Sequence, residues 1–433
     1  MSPVLKSLPI LPLYRAATAG VAPLTPLLLY WRSQHGKEDP KRLSERFGRS
    51  TLVRPPGRLA WLHGASVGES IALLPLIERL AARGFKILIS TGTTASAAIM
   101  AARLPAGSVH QYLPLDVGKY VANFLDHWRP DLALIAESEF WPNLFFETQR
   151  RGIPMVLVNA RMSARSFRRW QPLAAACADL MRRVDLCLAQ SQEDAERFAA
   201  LGAPHVHVTG NLKYDVSPPP ADPSSLARLA ARIGTRPTWV AASTHPGEED
   251  IAFGVHRALL NRFPDLLTIV VPRHVRRGAD VASQAEAKGL VPLRRSLDSA
   301  GTPLPHVYIA DTMGELGLFY RLAHVAFLGK SLVGSGGQNP IEAAKLGCAT
   351  LHGPHVGNFA EVYRILDEAR AAGCVGDSDT LARALGILLA DGAKARKMSR
   401  SASDTMKRLG GATNRIMKAI EPHIAQLMID QCA

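Results

Sequence analysis

Leu59-Ala60-Trp61-Leu62-His63-Gly64-Ala65-Ser66-Val67-Gly68-Glu69-Ser70 decides how the rest of the chain is read. Four apolar residues and a histidine make a buried strand, the small residues Gly64, Ala65 and Ser66 make a tight turn, and Ile71 to Ala82 continues with apolar residues at helical spacing. The same grammar recurs outward. Lys86 to Ser90, Val109 to Leu113, Leu132 to Ala136, Met155 to Asn159, Leu186 to Ala189 and Val206 to Thr209 read as further strands. Helical patterns such as Val117 to Trp128 and Glu193 to Leu201 lie between them. Near-continuous apolar strands separated by helices predict a buried parallel sheet.

After Ser217-Pro218-Pro219-Pro220-Ala221-Asp222-Pro223, a proline-rich stretch suited to a stiff link, the pattern restarts. Trp239 to Ser243, Leu267 to Val271, His306 to Ala310, Val325 to Gly329 and Ala349 to His352 are its strands. Two α/β halves are therefore expected, with ligands in a cleft between the carboxyl ends of two sheets. The boundaries are residues 45–217 for the first half, 218–223 for the link and 224–405 for the second. Residues 406–433 form a C-terminal helix with the option of crossing back.

The length of 433 residues and an apolar content of 47% suit two to three domains with real cores. Fifty-one basic against thirty-seven acidic residues leave a net charge of +14, which attracts nucleic acid, an anionic membrane face or anionic substrates. Five scattered cysteines, Cys177, Cys187, Cys348, Cys374 and Cys432, argue against a disulfide framework or a zinc site and fit a reducing cytoplasm. Residues 1–44 depart from this pattern. From Val4 to Trp31 only Lys6 and Arg15 are charged, and a basic run through Arg32, Lys37, Lys41, Arg42 and Arg46 follows. Pro9, Pro12, Pro23 and Pro26 break the roughly 20 apolar residues that a spanning helix needs. The segment reads as a membrane-surface anchor with its cations against lipid headgroups, or as a helical hairpin packed on its own domain.

Several strand exits carry chemistry. Gly64-x-Ser66-x-Gly68 matches a nucleophile elbow, which keeps a serine hydrolase in view, although it follows the first strand of its half. Glu69 lies in the first helical turn, where a carboxylate also suits the dipole. Glu137 and Glu139 stand at i and i+2, on the same side of an extended segment, and fit a metal, an acid/base pair or a cation site. Arg161, Arg165, Arg168 and Arg169 form the densest basic patch, suited to phosphate or carboxylate. Lys213 leaves the last strand of the half toward the cleft, and Arg273 follows an apolar strand where packing gives it no reason to be. Gly334-Ser335-Gly336-Gly337-Gln338-Asn339-Pro340-Ile341-Glu342 reads as a phosphate cradle, with Asn339 as N-cap, Pro340 at the first helical position and Glu342 closing a capping box. No dinucleotide or Walker sequence is present. Asp377-Ser378-Asp379 reads as a helix cap.

Taken in order, these segments resemble the bacterial 3-deoxy-D-manno-oct-2-ulosonic acid (Kdo) transferases of lipopolysaccharide assembly. The likeness runs over essentially the whole chain. It includes Ser66-Val67-Gly68-Glu69-Ser70, Glu137-Ser138-Glu139-Phe140-Trp141-Pro142-Asn143-Leu144, Asn159-Ala160-Arg161-Met162-Ser163, Gly210-Asn211-Leu212-Lys213-Tyr214-Asp215, Ser243-Thr244-His245-Pro246-Gly247-Glu248-Glu249, Val271-Pro272-Arg273-His274, Asp311-Thr312-Met313-Gly314-Glu315-Leu316 and Gly336 to Glu342. The resemblance implies an α/β fold of the glycosyltransferase-B type with two Rossmann-like domains facing an interdomain cleft, acceptor-binding first and donor-binding second. It implies CMP-Kdo as donor, a lipid A precursor (lipid IVA) as acceptor, the cytoplasmic face of the inner membrane, and inverting transfer with neither metal nor cofactor. Glu69 would be the general base, provided burial lifts its pKa, with Glu137 and Lys213 stabilising the transition state. Pro272, Arg273, Met313, Gly314, Glu315, Asn339, Pro340, Ile341 and Glu342 would hold CMP. Gln338 departs from the pattern, since the family usually carries His there.

Two further classes remain. A nucleotide-sugar epimerase could share the architecture but would not need the apolar N-terminal segment. A nucleic-acid binder would explain the charge but should interleave aromatics with its basic residues, and aromatics are only 6% of the chain.

Overall fold

The computed structural model describes residues 10–299, 302–334 and 336–429. They divide into two compact units, Met1–Val216 with Gly410–Ala433, and Ser217–Leu409. In the first unit the strands are β1 Leu59–His63, β2 Lys86–Thr91, β3 Val109–Tyr112, β4 Leu132–Ala136, β5 Met155–Ala160, β6 Leu186–Ala189 and β7 Val206–Val208. All pair in parallel in the order β3-β2-β1-β4-β5-β6-β7. Successive residues face opposite sides: Leu59 and Trp61 belong to one apolar cluster, Ala60 and Leu62 to the other. Both faces of the sheet are covered, which is why the strands read as unbroken apolar runs.

The second unit repeats this plan with β8 Thr238–Thr244, β9 Leu267–Pro272, β10 Pro292–Arg294, β11 Val307–Ile309, β12 Val325–Leu328, β13 Ala349–His352 and β14 Ala372–Cys374. The order is β10-β11-β9-β8-β12-β13-β14, again parallel. One internal detail recurs. The Trp61 indole donates to Ser90 Oγ at 2.8 Å, and the Trp239 indole donates to Thr268 Oγ1 at 2.6 Å, each from a first strand to its neighbour. The short strands β10 and β14 escape a reading by apolar runs, because one is Pro-Leu-Arg and the other Ala-Gly-Cys.

Of the two readings of the N-terminal segment the structure shows packing on its own unit, and the expectation for its basic run needs correction. The N-terminal helices Ile10–Val21 and Thr25–Gln34 pack on the first unit, with Leu11 and Leu29 buried and the Tyr14 hydroxyl donating to Asp116 at 3.0 Å. Pro12, Pro23 and Pro26 stand in first turns, where a missing N–H leaves no gap. Val4, Lys6 and Pro9 lie outside the described residues. The basic run is not mainly a headgroup surface. Arg46 is buried, bonded to Glu38 at 2.8 Å and to the carbonyls of Leu113 and Gly92. Arg32 pairs with Glu38 and Arg42 with Glu45, leaving Lys37 and Lys41 exposed. A buried guanidinium needs acceptors and a counter-charge, and here each of its three nitrogens finds an acceptor and Glu38 supplies the charge.

The proline-rich link is also packed. The Pro219 carbonyl accepts from Arg321 at 2.8 Å, and a Cβ on Gly317 would stand 2.3 Å from that oxygen. At the other end of the chain, helix Ala412–Ile429 lays Ile416, Ile420 and Ile424 onto the first sheet, while Asp215 accepts from the amides of Gly411 and Thr413. No helix among the described residues is long and apolar enough to cross a membrane.

Candidate active site

In the first unit the site is built on the carboxyl ends of the neighbouring strands β1, β4 and β5. Ser66 caps helix Val67–Ala82, and Glu69 in its first turn folds back over the turn. Its carboxylate is half-buried and accepts from the Ala65 amide at 2.8 Å and the Ser66 hydroxyl at 2.6 Å. Two donors fix its orientation without closing it off. Gly64 is required because a Cβ there would stand 2.9 Å from the Ser70 amide. Ser66 does not form a nucleophile elbow: its backbone is ordinary extended chain and its proton goes to Glu69. The nearby imidazole, His63, turns its Nδ1 to Ser90 instead.

Glu137 and Glu139 do not share one side of an extended segment, because Glu137 adopts a left-handed backbone at φ 57°. Strain of that kind is held by surrounding structure and concentrates at functional sites. Its carboxylate pairs with Lys213 Nζ at 3.0 Å. Glu139 takes the other direction, accepting from the Trp141 indole at 2.7 Å and standing 4.0 Å from Nε2 of buried His63. Burial, together with the charges of Glu69 and Glu137, raises the Glu139 pKa against the indole hydrogen bond. Burial pushes His63 down to about 4, so its ring is neutral near pH 7.

Lys213 is placed by a ring of amides that the sequence reading did not single out. Asn159, at φ 52°, accepts from the Leu212 amide at 2.9 Å. Asn211 accepts from the Lys213 amide and donates to Gln190, which in turn donates to the Asn159 carbonyl. An asparagine ending an apolar strand was the available signal. Arg161, Arg165, Arg168 and Arg169 are exposed beside helix Ala164–Trp170, as a phosphate-facing patch requires.

In the second unit the loops leave the adjacent strands β11, β9, β8 and β12. Pro272 is buried at the end of β9, and the Arg273 amide donates to the Thr244 carbonyl at 3.0 Å while its side chain is exposed. Met313 is 79% exposed and Gly314 is left-handed at φ 79°, both free to meet a ligand. The Glu315 carboxylate is engaged by Arg295 at 2.7 and 3.0 Å, which holds its pKa low.

The glycine-rich loop differs from its expected grammar by one position. Helix Ile341–Lys345 has only five residues and Pro340, not Asn339, at its N-cap. Asn339 nevertheless accepts from the Ile341 amide at 3.1 Å and reaches Glu342 at 3.5 Å. Gly336 and Gly337 serve packing as well: a Cβ would stand 2.5 Å from Asn358 Nδ2 and 3.0 Å from Val356 Cα. Ser335 lies outside the described residues. Asp377 caps helix Ser378–Ala390, as its sequence suggested.

Glu248 was not singled out. It is 1% exposed and accepts from five amides, those of His245, Lys330, Ser331, Leu332 and Val333, at 2.6 to 3.5 Å. It locks the loop after β12 to the turn after β8.

A family model described as 3-Deoxy-D-manno-octulosonic-acid transferase (kdotransferase) matches residues 41–216. The chain is 36% identical over 427 residues to the probable 3-deoxy-D-manno-octulosonic acid transferase, mitochondrial, of Arabidopsis thaliana, covering 95% of each. It is 36% identical over 422 residues to the 3-deoxy-D-manno-octulosonic acid transferase of Bordetella pertussis, covering 94% of this chain and 98% of that one. A solved glycosyltransferase from Rickettsia africae ESF-5 matches with a TM-score of 0.56 over 86% of this chain and 99% of that one, at 11% identity. That likeness is one of fold, the glycosyltransferase-B arrangement of two Rossmann-like domains.

Proposed function

The chain belongs to the 3-deoxy-D-manno-octulosonic acid transferase family, and from that premise we propose that it moves Kdo from CMP-Kdo to a lipid A precursor such as lipid IVA. The transfer inverts the anomeric centre, uses no metal, and employs Glu69 as general base. The single observation that carries the base is the Glu69 carboxylate, oriented by Ala65 and Ser66 and still half-open to a substrate hydroxyl. An acceptor hydroxyl attacks the anomeric carbon of Kdo as the bond from that carbon to the phosphate oxygen breaks. The hydroxyl proton passes to Glu69 and the electron pair leaves with CMP. Lys213, held by Glu137, offsets negative charge developing on the leaving phosphate. Pro272, Arg273, Met313, Gly314, Glu315 and Asn339 to Glu342 hold the nucleotide.

A membrane surface is the natural place to meet a lipid acceptor, and we place the protein on the cytoplasmic face of the inner membrane. Support comes from Leu13, Val21, Leu24, Leu27, Leu28, Tyr30 and Trp31, all at least 48% exposed on the two N-terminal helices. So many large apolar groups on one short segment exceed the scattered exposure of an ordinary surface. Incubating the purified chain with labelled CMP-Kdo and a lipid A precursor should add the mass of Kdo to the lipid, and a chelator should leave that product intact. Absence of the product overturns the activity. Loss with chelator and recovery with Mg²⁺ overturns the metal-independent route.

A further inference from the structure

The carboxyl edge of the second sheet holds a cationic cluster larger than one phosphate requires. His245 follows β8, Arg273 and His274 follow β9, and Lys330 follows β12, on three adjacent strands. The rings of His245 and His274 meet edge to face at 6.2 Å. Among the described residues no salt bridge engages Arg273, His274 or Lys330. The one carboxylate within the cluster, Glu248, is buried and taken up by its five amides. Lys330 is itself strained, at φ 57°, and Glu248 holds it there by accepting its amide at 2.6 Å.

Gln338 completes the arrangement. Its Nε2 donates to Nε2 of His245 at 3.1 Å, while its backbone carbonyl accepts from the Tyr363 hydroxyl at 2.8 Å. An Nε2 that accepts carries no proton, so the ring hydrogen of neutral His245 sits on Nδ1. Burial, with Lys330, His274 and Arg273 close by, lowers the pKa of the ring against the opposing charge of Glu248. The cluster thus offers one oriented N–H donor beside a point charge.

We propose that His245, Lys330 and Gln338 form a subsite for the carboxylate of the donor's acid sugar, next to the phosphate held by Arg273. The assignment rests on the reading of the donor as a CMP-activated ulosonic acid. In such a donor the carboxylate and the phosphate oxygen are attached to the same anomeric carbon, so two anionic groups must be bound side by side. One arginine cannot satisfy both. Lys330 supplies the second charge, His245 Nδ1–H the directional bond, and Gln338 fixes the tautomer that makes it a donor.

CMP, which lacks the carboxylate, separates the two anion sites. Lys330→Asn, which tolerates the left-handed backbone, should raise the KM for CMP-Kdo about ten-fold and leave inhibition by CMP within about two-fold of the parent. Gln338→Glu, which places a competing carboxylate beside His245, should raise that KM further, again with little change toward CMP. It serves as the second variant if Lys330→Asn fails to fold. Equal weakening toward CMP and CMP-Kdo would assign the cluster to the phosphate and overturn the subsite. So would an unchanged KM in both variants. If the parent chain neither binds CMP nor uses CMP-Kdo, the donor reading itself falls and takes the subsite with it.

Discussion

Glu69 and Glu248 occupy the same topological place, the first turn of the first helix after the first strand of their units, and they are wired differently. Glu69 accepts one amide and one hydroxyl and remains half-open. Glu248 accepts five amides and is 1% exposed. A carboxylate with vacant lone pairs can take a proton from a substrate, and one saturated by backbone can only hold a loop in place. One plan thus leaves a carboxylate open in the first unit and saturates it as scaffolding in the second.

Swapping the loss of function for the loss of fold is the sharpest way to break this contrast. Glu69→Gln should lower turnover by about 10²- to 10⁴-fold while the melting temperature stays close to that of the parent, and Ser66→Ala should keep much of the activity. Glu248→Gln should instead destabilise the second unit by about 1–3 kcal/mol, because an amide cannot accept from all five donors. Turnover and thermal unfolding measured on the same preparations decide it; a stable, inactive Glu248→Gln with a fully active Glu69→Gln would reverse the two roles.

A further effect, comparable per residue, concerns acid. Burial pushes His63, His110 and His256 down from 6.5 to about 4, helped at His110 by Arg42 and Arg46 and at His256 by His306 and Arg236. The unfolded chain binds a proton at each below pH 6.5 and the folded chain does not until about pH 4. Stability is therefore lost as pH falls through that window, by something on the order of 3 kcal/mol per histidine. Two of the three lie in the first unit. Hydrogen exchange at pH 5 should open β2 and β3 before β8 and β9, and His110→Gln should narrow the gap. Simultaneous opening would erase the difference between the units.

The smallest effect tests the exposed apolar side chains of the two N-terminal helices. Leu27→Ser with Trp31→Ser should weaken binding to anionic vesicles about ten-fold and change turnover on a detergent-dispersed acceptor little. Unaltered vesicle binding would move the membrane contact elsewhere.

The strands were legible because both faces of each sheet are covered, so β1, β4, β6 and β13 match their apolar runs residue for residue. Glu69, Glu137, Lys213 and Arg273 were legible as charges where an apolar run ends. What escaped depends on backbone or distant contact. Arg46 looked like surface charge because its partners Glu38, Gly92 and Leu113 are met only in three dimensions. The opposed directions of Glu137 and Glu139 follow from one left-handed residue, which no side-chain pattern encodes. Glu248 was passed over, since the amides it binds lie more than eighty positions along the chain, apart from that of His245.

Helix Ala412–Ile429 has a consequence for how the protein is made. The first unit has its seven strands by Val208, yet one face of its sheet, besides helix Val67–Ala82, is covered by residues that leave the ribosome after the entire second unit. At about 5–20 residues per second, Ser217–Leu409, which lies between the two segments, takes roughly 10–40 s to synthesise. For that time Leu73, Ile77 and Leu188 lack the isoleucines that seal them, while the inserted unit has everything it needs to fold. The order of maturation is therefore the reverse of the order of synthesis: the unit of Ser217–Leu409 closes first, and the unit that carries Glu69 waits for helix Ala412–Ile429.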